Sequence, residues 1–170
     1  MPLEMALERE LDGAGERGDR ILDLACLAGR ILLENGAETY RVEDTVNRIA
    51  AAYGLEDCQC FATPTALVVS AYGEGTPYTL MRRVTVREVD LAKINRVNGL
   101  SRRMGESRLD IDEARIALIK IEGMERFPLW LEVLAAGTGL GCFVLLFGGG
   151  PEEGPCAFGA GAPLLLVLLA

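Results

Sequence analysis

"CQCFATPTALVVSAYGEGTPYTLMRRVTVRE" (residues 58–88) is where this chain changes period. Its β-branched and aromatic residues are broken by Thr63-Pro64-Thr65 and by a Gly73-Glu74-Gly75-Thr76-Pro77 cluster, which predicts three short strands, the second and third a hairpin. Helical spacing lies on both sides of it. Upstream, residues 19–35 place Ile21, Leu24, Ala25, Ala28, Ile31 and Leu32 on one stripe, with Asp19 suited to the N-cap and Gly36 to the left-handed position after the C-terminus.

A second amphipathic helix follows, with Val42, Val46, Ile49, Ala50 and Tyr53 on one side, Arg41, Asp44, Thr45 and Arg48 on the other, and Gly54 as its stop. Downstream, Asp90 opens a third helix with Leu91, Ile94, Val97, Leu100 and Met104 inward. "LDIDEARIALIKIE" (109–122) opens a fourth, where Asp110 and Glu113 resemble a capping box. The expected order is ααβββαα, an α+β domain over residues 19–126 behind a flexible acidic N-terminus at 1–18.

The charges divide the chain. All 17 Lys and Arg fall within residues 1–126, whereas the last 44 residues hold only Glu132, Glu152 and Glu153, so the two parts are built for different solvents. A net charge of −8 offers no basic field for phosphates, which speaks against nucleic acid as a partner. The acidic N-terminus, without a continuous apolar run, is neither a signal peptide nor a transit peptide.

Residues 127–147, "FPLWLEVLAAGTGLGCFVLLF", are 21 residues with one charge, the length a helix needs to cross about 30 Å of hydrocarbon. A Gly/Pro-rich loop at 148–155 leads to a second apolar segment, residues 156–170, shorter than the roughly 17 residues a span requires. The expectation is one transmembrane helix followed by a second cut short at Ala170. Arg115, Lys120 and Arg126 precede the first span, which by the positive-inside rule puts the α+β domain in the cytoplasm; the expected location is the plasma (inner) membrane.

Within the first span Gly137 and Gly141 form G-x-x-x-G, a smooth surface for helix packing; as a dinucleotide fingerprint they fail, since no strand precedes them. Gly148-Gly149-Gly150 lacks the Gly-Lys-Ser/Thr of a phosphate loop. Cys58 and Cys60 would put two thiols on one strand face, but with no His and no second Cys pair the reading is of small buried residues rather than a metal site. The five cysteines are odd in number and scattered, against a disulfide framework.

"LLENGAETYRVEDTVNRIAAAYG" (32–54), "ATPTALVVSAY", "MRRVTV", "DLAKINRVNGLSRR" and "LLFGGG", in that order, resemble the threonine/serine exporter family, also called ThrE or YjjP-like, over roughly residues 19–170. The resemblance implies a secondary exporter with a cytoplasmic domain followed by several membrane helices, in some members completed by a second small membrane subunit. It also implies a small polar solute such as threonine, serine or succinate. The family's motif positions fall on Gly36, Ala37 and Glu38, on Arg41, Val42 and Glu43, on Thr63, Pro64 and Thr65, and on Asn98.

Each of these residues also has a plainer reading. Glu38 and Arg41, three apart on a helix, make an exposed pair worth about 0.2–0.5 kcal/mol, or Arg41 is a fork for a solute carboxylate that Glu38 and Glu43 orient. Thr63 and Thr65 flank a turn or touch solute, and Asn98 makes a structural hydrogen bond or a solute contact. Glu132 sits either among headgroups or in the membrane as a coupling carboxylate.

The chain thus reads as a subunit or fragment of an ion-gradient-driven exporter, with the lipid bilayer and either a second membrane subunit or further copies as partners. No cofactor is expected, since no nucleotide-binding motif is present. The rival readings are a membrane-tethered module that binds solute and gates a partner, and an anchored enzyme. With no His in the chain, the enzyme would lack any imidazole base.

Overall fold

The computed structural model describes residues 3–107, 109–125, 128–150 and 153–168, in two compact units, Met1–Met124 and Glu125–Ala170. The first contains α1 (Leu3–Glu34), α2 (Thr39–Ala52), β1 (Glu56–Thr63), β2 (Ala66–Gly73), β3 (Thr76–Arg83), α3 (Leu91–Ser107) and α4 (Ile111–Glu122). The second contains α5 (Leu129–Leu146) and α6 (Glu153–Leu168).

The middle of the first unit is α1, which touches α2, β2, β3, α3 and α4. Leu22, Leu24, Ile31 and Leu32 of α1 are fully buried, so the helix presents apolar residues on more than one stripe, as a central helix must. It also begins at Leu3, not at Asp19. "LEMALERELD" is rich in Leu, Glu, Ala and Arg, all strong helix formers, and neither Gly13 nor Gly15 is enough to stop a helix already propagating.

At its C-terminus α1 is closed by the Asn35-Gly36 pair. The buried Asn35 amide donates to the Ile31 carbonyl (2.7 Å), Gly36 adopts φ +88°, and Ala37 N–H returns to the Leu32 carbonyl (2.9 Å). The same end takes in the connection between β3 and α3: Glu88 N–H donates to Glu34 O (2.7 Å) and Asp90 N–H to Asn35 O (3.1 Å). A Cβ on Gly36 would lie 3.2 Å from the Glu88 carbonyl, so backbone conformation and crowding both favour glycine there.

The strands form an antiparallel meander in the order β1-β2-β3. Pro64 and Thr65 are the whole loop between β1 and β2, so the first strand pair is as tight a hairpin as the second. At the β2–β3 turn both central residues, Glu74 (φ 51°) and Gly75 (φ 80°), show the sign pattern of a type I′ turn. A bulge sits at Asp57 (φ 46°), where the β1 register shifts.

Ala62, Leu67, Val69, Ala71 and Tyr78 point into the core, while Phe61 and Met81, aligned through Val68, are 66% and 65% exposed. One face of the sheet is therefore covered and the other open.

In the second unit α5 has Pro128 at its N-cap and 18 residues, which at 1.5 Å each gives about 27 Å. Among the described residues no helix is long and apolar enough to cross a membrane. Phe127, the first residue of the expected span, lies outside the described residues. Helix α6 starts at Glu153 rather than after residue 155, because Pro155 is tolerated in a first turn where its missing N–H has no partner to lose.

Candidate functional site

The N-terminus of α2 carries the first expected group. Glu38 is the N-cap residue but its side chain makes no capping hydrogen bond; it turns instead to Arg41, with Oε2 3.1 Å from Nε. Arg41 Nε also donates to the Tyr40 hydroxyl (3.1 Å), and its guanidinium carbon lies 5.9 Å from the Tyr40 ring centroid. All three side chains are well exposed. Arg41 spends its recorded hydrogen bonds through Nε, which leaves the flat edge of the fork toward solvent.

Glu43 does something different. Its carboxylate accepts from Ala62 N–H (2.9 Å), covering a donor on the edge strand β1 and fastening α2 to the sheet. Thr63 Oγ1 closes the first hairpin by accepting from Ala66 N–H (3.1 Å) and donating to Ala66 O (3.2 Å). Thr65 is exposed, and its carbonyl accepts from Val84 N–H (2.8 Å). Asn98 Oδ1 accepts from the buried Thr45 hydroxyl (3.3 Å), a link between α2 and α3. Among the described residues no hydrogen bond or ion pair joins Arg41 to Glu43, Thr63, Thr65 or Asn98. The structure pairs Glu38 with Arg41 and gives the other four to hairpin, sheet edge and helix contact.

In the second unit Glu132 lies in the first turn of α5 and is partly exposed. Gly137 and Gly141 are buried against α6: a Cβ at Gly137 would meet the Phe158 ring at 2.9 Å, and one at Gly141 the Gly154 carbonyl at 3.2 Å. Around this seam the surface is apolar, with Trp130, Phe143, Leu145, Leu146 and Phe147 all more than half exposed.

Two features of the first unit are assembled from distant parts of the chain. A cleft of about 710 Å³ is lined by Glu16, Arg17, Arg20, Tyr53, Gly54 and Asp110 among others, with Tyr53 OH donating to Leu109 O (2.8 Å) at its wall. Burial, followed by the charge of Asp110, raises the Tyr53 pKa, so this hydroxyl stays protonated as a donor.

Asp23 of α1 bridges Arg82 of β3 (2.6 Å) and Arg115 of α4 (2.5 Å). Burial alone would raise the pKa of Asp23, but the two guanidiniums outweigh it and the net shift is downward. No local pattern marks either feature, because Asp23 and Arg115 are 92 residues apart and the cleft draws on α1, the end of α2 and the start of α4.

Burial pushes the Cys26 and Cys60 thiols up to about 12 and raises Cys58 as well, which keeps all three neutral at physiological pH. Among the described residues no group of three or more Cys, Asp or Glu could hold a metal ion.

Comparison with known proteins bears on both units. The family model described as "Putative threonine/serine exporter" matches residues 23–169. A protein of Mycobacterium tuberculosis named "Probable threonine/serine exporter" is 32% identical over 133 residues, 76% of this chain and 25% of that protein. Proteins named "Probable succinate transporter subunit YjjP" from Klebsiella aerogenes and Escherichia coli are 27% and 23% identical over 119 and 152 residues, which is 70% and 89% of this chain and 46% and 59% of theirs.

The chain therefore spans between about a quarter and three-fifths of the relatives it matches. No solved structure matches it. With a single family model running through the α+β unit and the apolar helices alike, the chain belongs to the threonine/serine exporter family.

Proposed function

We propose that this chain is part of a membrane exporter that moves a small hydroxylated amino acid or a dicarboxylate out of the cell on an ion gradient. The observation that carries the reading is the unbroken family match across residues 23–169, which takes in both units. The names of the relatives, exporters of threonine and serine in one case and a succinate transporter subunit in the others, share a solute with a carboxylate.

In this reading residues 127–147 cross the bilayer, residues 156–170 enter it, and the α+β unit lies in the cytoplasm. The exposed apolar surface of α5, with Leu146 and Phe147 at 81% and 75%, supports a hydrocarbon surrounding, as does the absence of Lys and Arg after residue 126. Two helices cannot enclose a path for a polar solute, so the remaining walls come from further chain, a second subunit or other copies. Arg41, held at Nε by Glu38 and Tyr40, is the group offered to the solute carboxylate.

The test is efflux from cells loaded with labelled threonine, serine or succinate, comparing the chain alone, the chain together with its membrane partner, and Arg41→Ala in the active combination. Efflux that needs the partner and falls about tenfold or more with Arg41→Ala is expected, the size of one lost charge-assisted contact. Absence of efflux in every combination, with the protein inserted in the membrane, overturns the reading. Unchanged efflux with Arg41→Ala removes Arg41 from it.

A further inference from the structure

Helices α3 and α4, joined by a three-residue connection, border an open groove of about 370 Å³ lined by Arg96, Gly99, Leu100, Arg103, Ala117, Lys120 and Ile121. Three of the seven are cations and none is an acid, in a chain where Asp and Glu outnumber Lys and Arg by 25 to 17. Such segregation does not follow from composition.

Several arginines of this unit are paired: Arg20 with Asp112, Arg30 with Glu34 and Glu122, Arg48 with Asp44, and Arg82 and Arg115 with Asp23. Arg96 and Lys120 make no ion pair among the described residues, although they face one groove from two helices. A concave surface of one sign, with low-dielectric walls such as Leu100 and Ile121, concentrates its field on the space it borders.

The shape agrees with the charge. Arg96, Gly99 and Arg103 fall on one side of α3, the two arginines seven residues apart and so about 10 Å along the axis. Between them Gly99 faces open space, since a Cβ built there has nothing within 4 Å.

We propose that the α3–α4 groove binds a phosphate or carboxylate oxyanion, held by Arg96 from one side and Lys120 from the other. The chemistry is the same whether the oxyanion belongs to a soluble metabolite or to the headgroup of an anionic lipid. The inference does not depend on the transport reading, because it concerns equilibrium binding by the first unit.

The test is isothermal titration of the full chain in neutral detergent with inorganic phosphate, succinate and short-chain phosphatidylglycerol, using short-chain phosphatidylcholine as the zwitterionic control of zero net charge. Saturable binding of at least one anion is expected, weakened about tenfold by Arg96→Gln or Lys120→Gln, the size of one charge-assisted contact. Arg102→Gln, which removes the same charge from the same helix outside the groove, is expected to leave binding within about twofold, as screened surface charge does. Gly99→Leu keeps every charge but fills the floor, and should weaken binding too; thermal melts confirm that each variant folds.

Binding of phosphate or succinate alone identifies a soluble ligand, and binding of phosphatidylglycerol alone a lipid headgroup; either supports the site. Failure of all three anions to bind overturns it. So does equal weakening by Arg102→Gln or indifference to Gly99→Leu, since each would mean that diffuse surface charge, not the groove, attracts the anion.

Discussion

Leu24 and Phe147 are both large apolar residues of one chain, yet the first is completely buried and the second 75% exposed. In the first unit apolar side chains close on α1 and charges look outward; in the second they line the outside of two helices whose mutual seam is made of Gly137 and Gly141. The difference teaches that hydropathy by itself does not say where the inside is. What separates the units is the supply of charge, since Lys and Arg cease after residue 126 and beyond it only Glu132, Glu152 and Glu153 are charged.

The largest effect that would test this contrast is on stability. Leu24→Ala should lower the unfolding free energy of the first unit by about 3–5 kcal/mol, whereas Phe147→Ala should leave the same denaturant transition within about 0.5 kcal/mol. Comparable losses from the two substitutions would break the comparison. Next, Gly36→Ala should cost about 2 kcal/mol, from a left-handed backbone and a carbonyl already close, and is read as a lower midpoint in the same transition.

A sharper probe uses the cysteines. Cys26 is buried, with its pKa pushed up to about 12, while Cys142 and Cys156 are exposed on the second unit. In membranes a charged maleimide should label all three slowly: Cys26 for lack of access, the other two for lack of water. Transfer to detergent should speed Cys142 and Cys156 by about tenfold or more, a solvation difference of order 1–2 kcal/mol, without changing Cys26. Rapid labelling of Cys142 in membranes would mean that its surroundings are aqueous.

The smallest effect concerns Asp23→Asn, which should cost about 1 kcal/mol, the upper range for a partly exposed pair. Because the folded-state pKa of Asp23 lies below its ordinary value, its contribution is complete above the ordinary Asp range. It is lost as pH falls through that range toward the folded value. The variant should therefore show a flatter acid limb in stability against pH.

Much of this fold could be read from the chain. The Asn35-Gly36 break states its own chemistry, and the alternating stretch 66–73 carries its inward set, Leu67, Val69 and Ala71, in plain view. The start of α1 could not be read so well, because two glycines and several charges suggest a loose end where helix formers outnumber breakers.

Thr63-Pro64-Thr65 looked like an interruption between strands; only pairing shows it to be a two-residue hairpin. For the candidate site the local pair Glu38–Arg41 was legible, since spacing of three suffices, but the role of Glu43 was not. Its partner is a backbone amide on β1, which no side-chain pattern encodes. The Asp23 bridge and the α3–α4 groove were hidden for the same reason: both depend on helices meeting across tens of residues.

One consequence follows from the way Glu88 and Asp90 donate to the last carbonyls of α1. Both amides lie outside any helix or strand, where hydrogen exchange is ordinarily fast, yet their bonds break only if the approach to α3 comes away from the end of α1. Their exchange should therefore be slow and should share one opening free energy. The clamp makes three helix ends a single mechanical joint, and a tug on the N-terminus of α2, where Arg41 stands, is handed to α3 without passing through a side chain.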